Sequence, residues 1–177
     1  MGETFDAVGE ALCRAAAIRP GSAVQVLSEQ ASLRDPYNLI MAGVGNIVAF
    51  LDGQELDDDV LGSAFAESWF LDARYPAEFA GHDFIRGWTS VVCLAVVLTK
   101  PKQQDIVAAQ CLDFASKAAA VWPSAIRIGS FGSLARFELA CQQETEDQLR
   151  KNGLPALWEL AEVRSRQYRQ AAEWLVA

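Results

Sequence analysis

The sequence predicts an all-α fold: a four-helix bundle with additional helices at its N-terminal and C-terminal ends. Two observations carry this. Apolar residues recur at helical spacing along nearly the whole chain, and Ala and Leu far outnumber the β-branched residues that favour strands. Pro and Gly punctuate the pattern at intervals that suit helix ends. The 177 residues, 51 % hydrophobic and 21 % charged, suffice for one domain with a sizeable core, with no linker, repeat or low-complexity segment to divide it.

Phe5, Val8, Gly9, Leu12 and Ala15 to Ala17 form the apolar stripe of a first helix, which "RPGS" ends at Pro20 and Gly21. A short segment from Ala23 to Leu33 leads to "RDPYNLIMAGVGNIVAFLDG". There Asp35 suits an N-cap and Pro36 the first helical position. "DDDVLGSAFAESWFL" opens with three acids, Asp57 to Asp59, which the helix dipole favours at an N-terminus. Pro76 then breaks the helical pattern, and 72–76 reads as extended. "DFIRGWTSVVCLAVVLTK" is apolar almost all round and is therefore expected at the centre. His82 borders its start. A further helix runs between Asp105 and Pro123, and a turn at Gly129 to Gly132 precedes the short helix of "SLARFE", which would bury Leu134 and Phe137. The bundle core is expected over about 35–138, with a helical extension over about 154–177 that has Pro155 near its start. Phe65, Trp69, Phe84, Trp88, Val92, Leu94, Leu112, Phe114 and Phe137 are the expected core side chains.

Catalysis is not spelled out. There is no Gly-x-Gly-x-x-Gly, P-loop or Gly-x-Ser-x-Gly motif, and His82 is the single histidine. The chain is therefore expected not to be an enzyme and to use no cofactor. Cys13, Cys93, Cys111 and Cys141 stand apart among apolar neighbours, where a thiol behaves as a small hydrophobe, so no metal site is expected. The triple acid lacks the spacing of a calcium-binding loop. Ser90 to Leu98 is too short to span a bilayer, and the N-terminus does not read as a signal peptide, so a reducing, cytosolic-type setting without a membrane is expected. A formal charge of −8 argues against a broad basic face.

Against that background Lys100 and Lys102, separated only by Pro101 and followed by Asp105, are the one local concentration of positive charge after an apolar helix. On local grounds this is a helix C-terminus, where lysines favour unpaired carbonyls, followed by the N-cap of the next helix. The surrounding motifs add a second reading. "DPYNLI" at Asp35 to Ile40, "FAESW" at Phe65 to Trp69, "RYP" at Arg74 to Pro76, "TKPK" at Thr99 to Lys102, and "IR" at Ile126 and Arg127 followed by "FE" at Phe137 and Glu138 occur in the order found in coat proteins of rod-shaped plant viruses. Over Asp35 to Glu138 the chain thus resembles the tobamovirus type.

The resemblance implies a four-helix bundle that polymerises into a helical rod around single-stranded RNA, in the virion and the host cytoplasm. It implies that Lys100 and Lys102 contact RNA phosphates, with Asp105 opening the next helix beside them. Few contacts per copy suffice because they are multiplied along the polymer. Glu67 would lie at an axial contact where carboxylates crowd, so that protonation or a bound cation favours assembly. Read from its own surroundings, Glu67 is equally a solvated helix residue. The chain departs from the family in having lysines for arginines, a short "PKQQD" connection, Pro123 within the fourth helix, and a long C-terminal extension. "SLARFE" is also similar to a segment of flexuous filamentous coats, in which Arg136 would approach RNA. The alternative of another class is a cytosolic all-helical binding module of the immunity or adaptor type, whose acidic surface blocks a basic partner. Trp158, Tyr168 and Trp174 exceed what one bundle needs and are expected at lateral contacts or covering its outer end.

Overall fold

The computed structural model describes residues 3–30, 33–51, 54–55, 57–64, 66, 81–97, 104–123, 127–153 and 155–177, and among these all regular structure is helical. The helices are α1 (Glu3–Ile18), α2 (Gly21–Gln30), α3 (Arg34–Leu51), α4 (His82–Val97), α5 (Gln104–Ala120), α6 (Leu134–Asn152) and α7 (Pro155–Val176). Residues 58–64 are also helical, and a 3-10 turn covers Gly129–Phe131. The extended stretch expected over 72–76, together with Phe65, Glu67, Trp69, Lys100 and Lys102, lies outside the described residues.

The helix enclosed by its neighbours is α1, not α4. Every residue from Ala11 to Ala17 is buried, and α3, α4, α5, α6 and α7 all touch this helix. Small side chains make this possible. Gly9 and Cys13 lie against Ala108, and a Cβ on Gly9 would stand 3.0 Å from the Ala108 Cβ. The apolar stripe of α1 marks one buried side, and α3, α4, α5, α6 and α7 close over the rest, so its centrality is set by neighbours rather than by periodicity. Near the end of α1, where carbonyls lack helical partners, Trp88 Nε1 donates to Ala17 O at 2.8 Å and joins α4 to it.

Side-chain pairings set the helix directions. Gly87 meets Ala118 and Cys111 Sγ approaches Val91 O, so α4 and α5 are antiparallel. Cys13 pairs with Ala108, and Ala16 lines a cavity with Ala115 and Ala118, so α1 and α5 run parallel. Gln142 Nε2 donates to Leu112 O and Ser116 Oγ, both at 3.2 Å, while Glu138 borders that cavity beside Ala118; α6 therefore opposes α5. Arg164 with Glu144 and Tyr168 with Glu138 oppose α7 to α6, and Ser22 Oγ donates to Ser165 O at 2.6 Å to seat α7 on α2.

Several local expectations hold. Asp57 Oδ1 accepts from the N–H groups of Asp59 and Val60, each at 3.1 Å, and so caps the helical residues 58–64. Asn46 grips this cap from α3 through its amide, donating to Asp57 O and accepting from Asp57 N–H. Ser133 Oγ accepts from Arg136 N–H and starts α6, whose Leu134 and Phe137 are buried. Gly129 and Gly132 supply the positive φ of the preceding turn. Gly81, at φ 95°, sits directly on Leu27, where a Cβ would come within 2.7 Å.

Other expectations change. Residues 23–30 belong to the helix α2, whose Ala23, Val24, Val26 and Leu27 are buried while Gln25 and Glu29 line its outer face. α3 begins at Arg34, placing Asp35 in its first turn rather than at the cap. The core is not confined to 35–138, since it runs from Cys13 to Ala172. Tyr168, expected toward the outside, is 1 % exposed, because its hydroxyl finds a buried carboxylate. Phe114, expected inside, is 39 % exposed; the buried row of α5 is Ala108, Cys111, Ala115 and Ala118, and Phe114 lies off it with Lys117 Nζ 5.7 Å from its ring. Trp174 is 72 % exposed.

The glycine contacts give opposite signs for the same chemical change. Gly87→Ala would place a methyl 2.6 Å from the Ala118 Cβ and 3.0 Å from its Cα, and is expected to destabilise by about 1–3 kcal/mol. Gly45→Ala meets nothing within 4 Å, and is expected to stabilise by up to about 1 kcal/mol through helix propensity. Urea midpoints of the two variants, measured side by side, check this.

Candidate functional site

Of the residues expected to carry function, Asp105 falls in the first turn of α5, its side chain outside the description, and Arg136 of the filamentous-coat alignment is exposed in the first turn of α6. Glu67, Lys100 and Lys102 lie outside the described residues, so no side-chain geometry tests them. Because α4 and α5 are antiparallel, Val97 and Gln104, which flank residues 98–103, are at the same end of the packed helices.

The structure brings together a different set of polar groups. Arg19, in the turn after α1, donates from Nη2 to Glu138 Oε1 at 2.5 Å and from Nη1 to Thr145 Oγ1 at 3.2 Å. Tyr168 OH donates to the other carboxylate oxygen, Gln142 Nε2 donates to Oε1 at 3.0 Å, and the Thr145 hydroxyl donates onward to Cys141 O. Arg19, Glu138 and Tyr168 are each 1 % exposed. A cavity of about 10 Å³, room for roughly one water, adjoins the cluster between Glu138, Tyr168, Pro20, Phe84 and Trp88. Arg19 Nε has no hydrogen-bond partner among the described residues.

Burial by itself would lower the Arg19 guanidinium, but the adjacent Glu138 carboxylate holds it above its ordinary value. Desolvation, reinforced by the same carboxylate, drives the Tyr168 phenol well above its usual range. Both shifts keep Arg19 charged and Tyr168 protonated near neutrality. The cluster is therefore a buried ion pair with a phenol donor. Its chemistry is that of a joint between the turn after α1, α6 and α7.

Of this cluster the sequence marked Glu138, as part of "FE", and Tyr168, as a side chain expected toward the outside, but nothing in it joined the two or pointed to Arg19. Its partners lie 119 and 30 residues away along the chain, beyond any local spacing rule. An arginine just before a helix-ending proline, as in "IRP", is unremarkable until the fold buries it. The four cysteines are free thiols, and no group of three or more His, Cys, Asp and Glu that could hold a metal ion occurs among the described residues. No helix among those residues is long and apolar enough to cross a membrane. Comparison of the chain with protein-family models, curated proteins and solved structures returns no match.

Breaking the ion pair from one side strands a buried charge, so Glu138→Leu and Arg19→Met are each expected to lose about 3–5 kcal/mol. The double variant is expected to recover much of that loss. Denaturation of all four proteins in a thermodynamic cycle measures the coupling. A second expectation concerns alkaline pH. Desolvation pushes the Cys141 thiol up to about 12 from an ordinary value of 9.0. The unfolded chain therefore releases this proton first, and stability falls as pH rises above 9. Tyr37, pushed up to about 12 chiefly by burial, adds a fall of the same sign from about pH 10, where Arg14, lowered to about 10 by burial, begins to oppose it. Between pH 9 and 10, Cys141→Ala should flatten the decline by up to about 1.4 kcal/mol per pH unit, read from urea unfolding at stepped pH.

Proposed function

We propose that this chain is a non-enzymatic coat subunit that polymerises with copies of itself into a helical rod or filament around single-stranded RNA, with the four-helix bundle of the rod-shaped plant virus coats at its centre. The observation that carries the reading is the surplus of apolar surface on a protomer whose core is already filled. Leu39, Phe114, Val121, Leu139, Val163 and Trp174 are all large and exposed, Trp174 at 72 %. Large exposed apolar side chains suit lateral burial between identical neighbours, and a subunit of a polymer needs more than one such contact. The ordered motifs between Asp35 and Glu138 supply the RNA part of the reading.

In this reading Lys100 and Lys102 meet phosphates, Asp105 opens α5 beside them, and Glu67 is the carboxylate whose protonation or cation binding favours the rod. Compact ammonium charges suit a contact that follows the backbone without reading bases. The virion and the host cytoplasm are the corresponding locations.

Electron microscopy of the purified protein at about pH 5, where crowded carboxylates are partly protonated, is expected to show discs or rods. Monomers that persist across pH and salt would instead favour the acidic binding module. Lys100→Ala with Lys102→Ala is expected to abolish RNA content while leaving RNA-free assembly intact, measured by the absorbance ratio and extracted RNA of purified particles. Equal RNA in mutant and wild-type particles would remove the lysines from the assignment.

A further inference from the structure

We infer that Cys13 and Cys111 are a paired redox site, which a small-molecule disulfide converts into a bond that locks α1 to α5. The inference concerns the protomer and does not depend on the coat reading. Cys13 Sγ lies 3.4 Å from Ala108 O on α5, and Cys111 Sγ lies 4.0 Å from Cys13 O on α1. Each thiol thus reaches across the interface to the other helix, and the two side chains also hydrogen-bond each other. Both residues are 0 % exposed. Small neighbours let the backbones approach. One turn before the pair, a Cβ on Gly9 would stand 3.0 Å from the Ala108 Cβ, inside the separation of about 3.5–4.5 Å that a disulfide spans. One turn after it, Ala16, Ala115 and Ala118 border the cavity of about 10 Å³. An S–S bond of about 2.05 Å draws the sulfurs closer than non-bonded contact allows, and that void takes up the adjustment.

The chemistry balances as two displacements. A thiolate from one cysteine attacks the small disulfide, forming a mixed disulfide and releasing one thiolate. The second cysteine's thiolate attacks the protein sulfur of that intermediate and releases the other. The protein loses two electrons and two protons, and the oxidant becomes two thiols. The fold also times the reaction. The hydrogen bond with Cys13, together with burial, pushes the Cys111 thiol well above its ordinary range, so the attacking thiolate is scarce while α1 is seated. The bond therefore forms when α1 transiently lifts and returns, and it records that opening. In an unfolded chain loop closure favours the pairs nearest in sequence, Cys93 with Cys111 or Cys111 with Cys141. Only the fold selects Cys13, 98 residues from Cys111. By linkage, a bond that the fold favours stabilises the fold in return.

The test exposes the full chain to oxidised glutathione at about pH 8, once in buffer and once in unfolding urea, followed by alkylation and non-reducing peptide mapping. In buffer the expected product is a linked Cys13–Cys111 peptide pair; in urea the short-loop pairs dominate. The oxidised protein, its circular dichroism unchanged, is expected to unfold at least about 1 M higher in urea than the reduced protein, and dithiothreitol reverses the gain. Cys13→Ala and Cys111→Ala, each checked for folding by circular dichroism, are expected to lose both the product and the gain, while Cys93→Ala keeps both. A folded chain that leaves Cys13 and Cys111 unlinked after prolonged oxidation, links another pair, or loses the product with Cys93 overturns the inference. So does a Cys13–Cys111 bond that leaves the urea midpoint unmoved or lower.

Discussion

The fold turns on one buried ion pair. Arg19 leaves the end of α1 and meets Glu138 from α6 and, through that carboxylate, Tyr168 from α7, so a single charged contact ties the first helix to the last two. An ionised pair in an apolar interior is tolerated only when its remaining donors and acceptors are engaged. Here Thr145 and Gln142 complete most of the shell, and both belong to α6, which fixes the register of that helix against its neighbours. The aromatic residues around the pair, Phe84, Trp122, Phe137 and Tyr168, then stack on one another at ring distances between 4.6 and 6.3 Å.

The second constraint is the small size of the side chains around α1. Ala, Gly and Cys at its contacts with α4 and α5 let three helices approach closely around α1. Stability is consequently sensitive to single methyl groups at these contacts and indifferent to them on the outer faces. The large side chains that would ordinarily fill a core are therefore partly left over. Several of them stand on the surface, which is the physical basis for reading the chain as a component of something larger.

Charge is distributed with the same economy. The net charge is −8, and three of the acids form i, i+4 pairs with bases, Asp113 with Lys117, Glu146 with Arg150 and Glu173 with Arg169. Exposed pairs of this kind contribute little to stability and chiefly keep the surface soluble.

Much local chemistry was legible in the sequence. The helical class, the helix start at the acids Asp57 to Asp59, the turn at Gly129 to Gly132, and the burial of Leu134 and Phe137 all follow from residues within a few positions of one another, where hydrogen bonds and periodicity act directly. The sequence also marked Lys100 and Lys102 as an unusual local charge. Tertiary structure alone decided that α1 rather than α4 is enclosed, that α2 is a helix, that Tyr168 belongs inside and Phe114 outside, and that Arg19 finds Glu138. Those outcomes depend on which faces meet at long range. A periodic stripe marks one buried side of a helix but not whether neighbours close over the rest, and a buried charge cannot be located until its partner is brought to it.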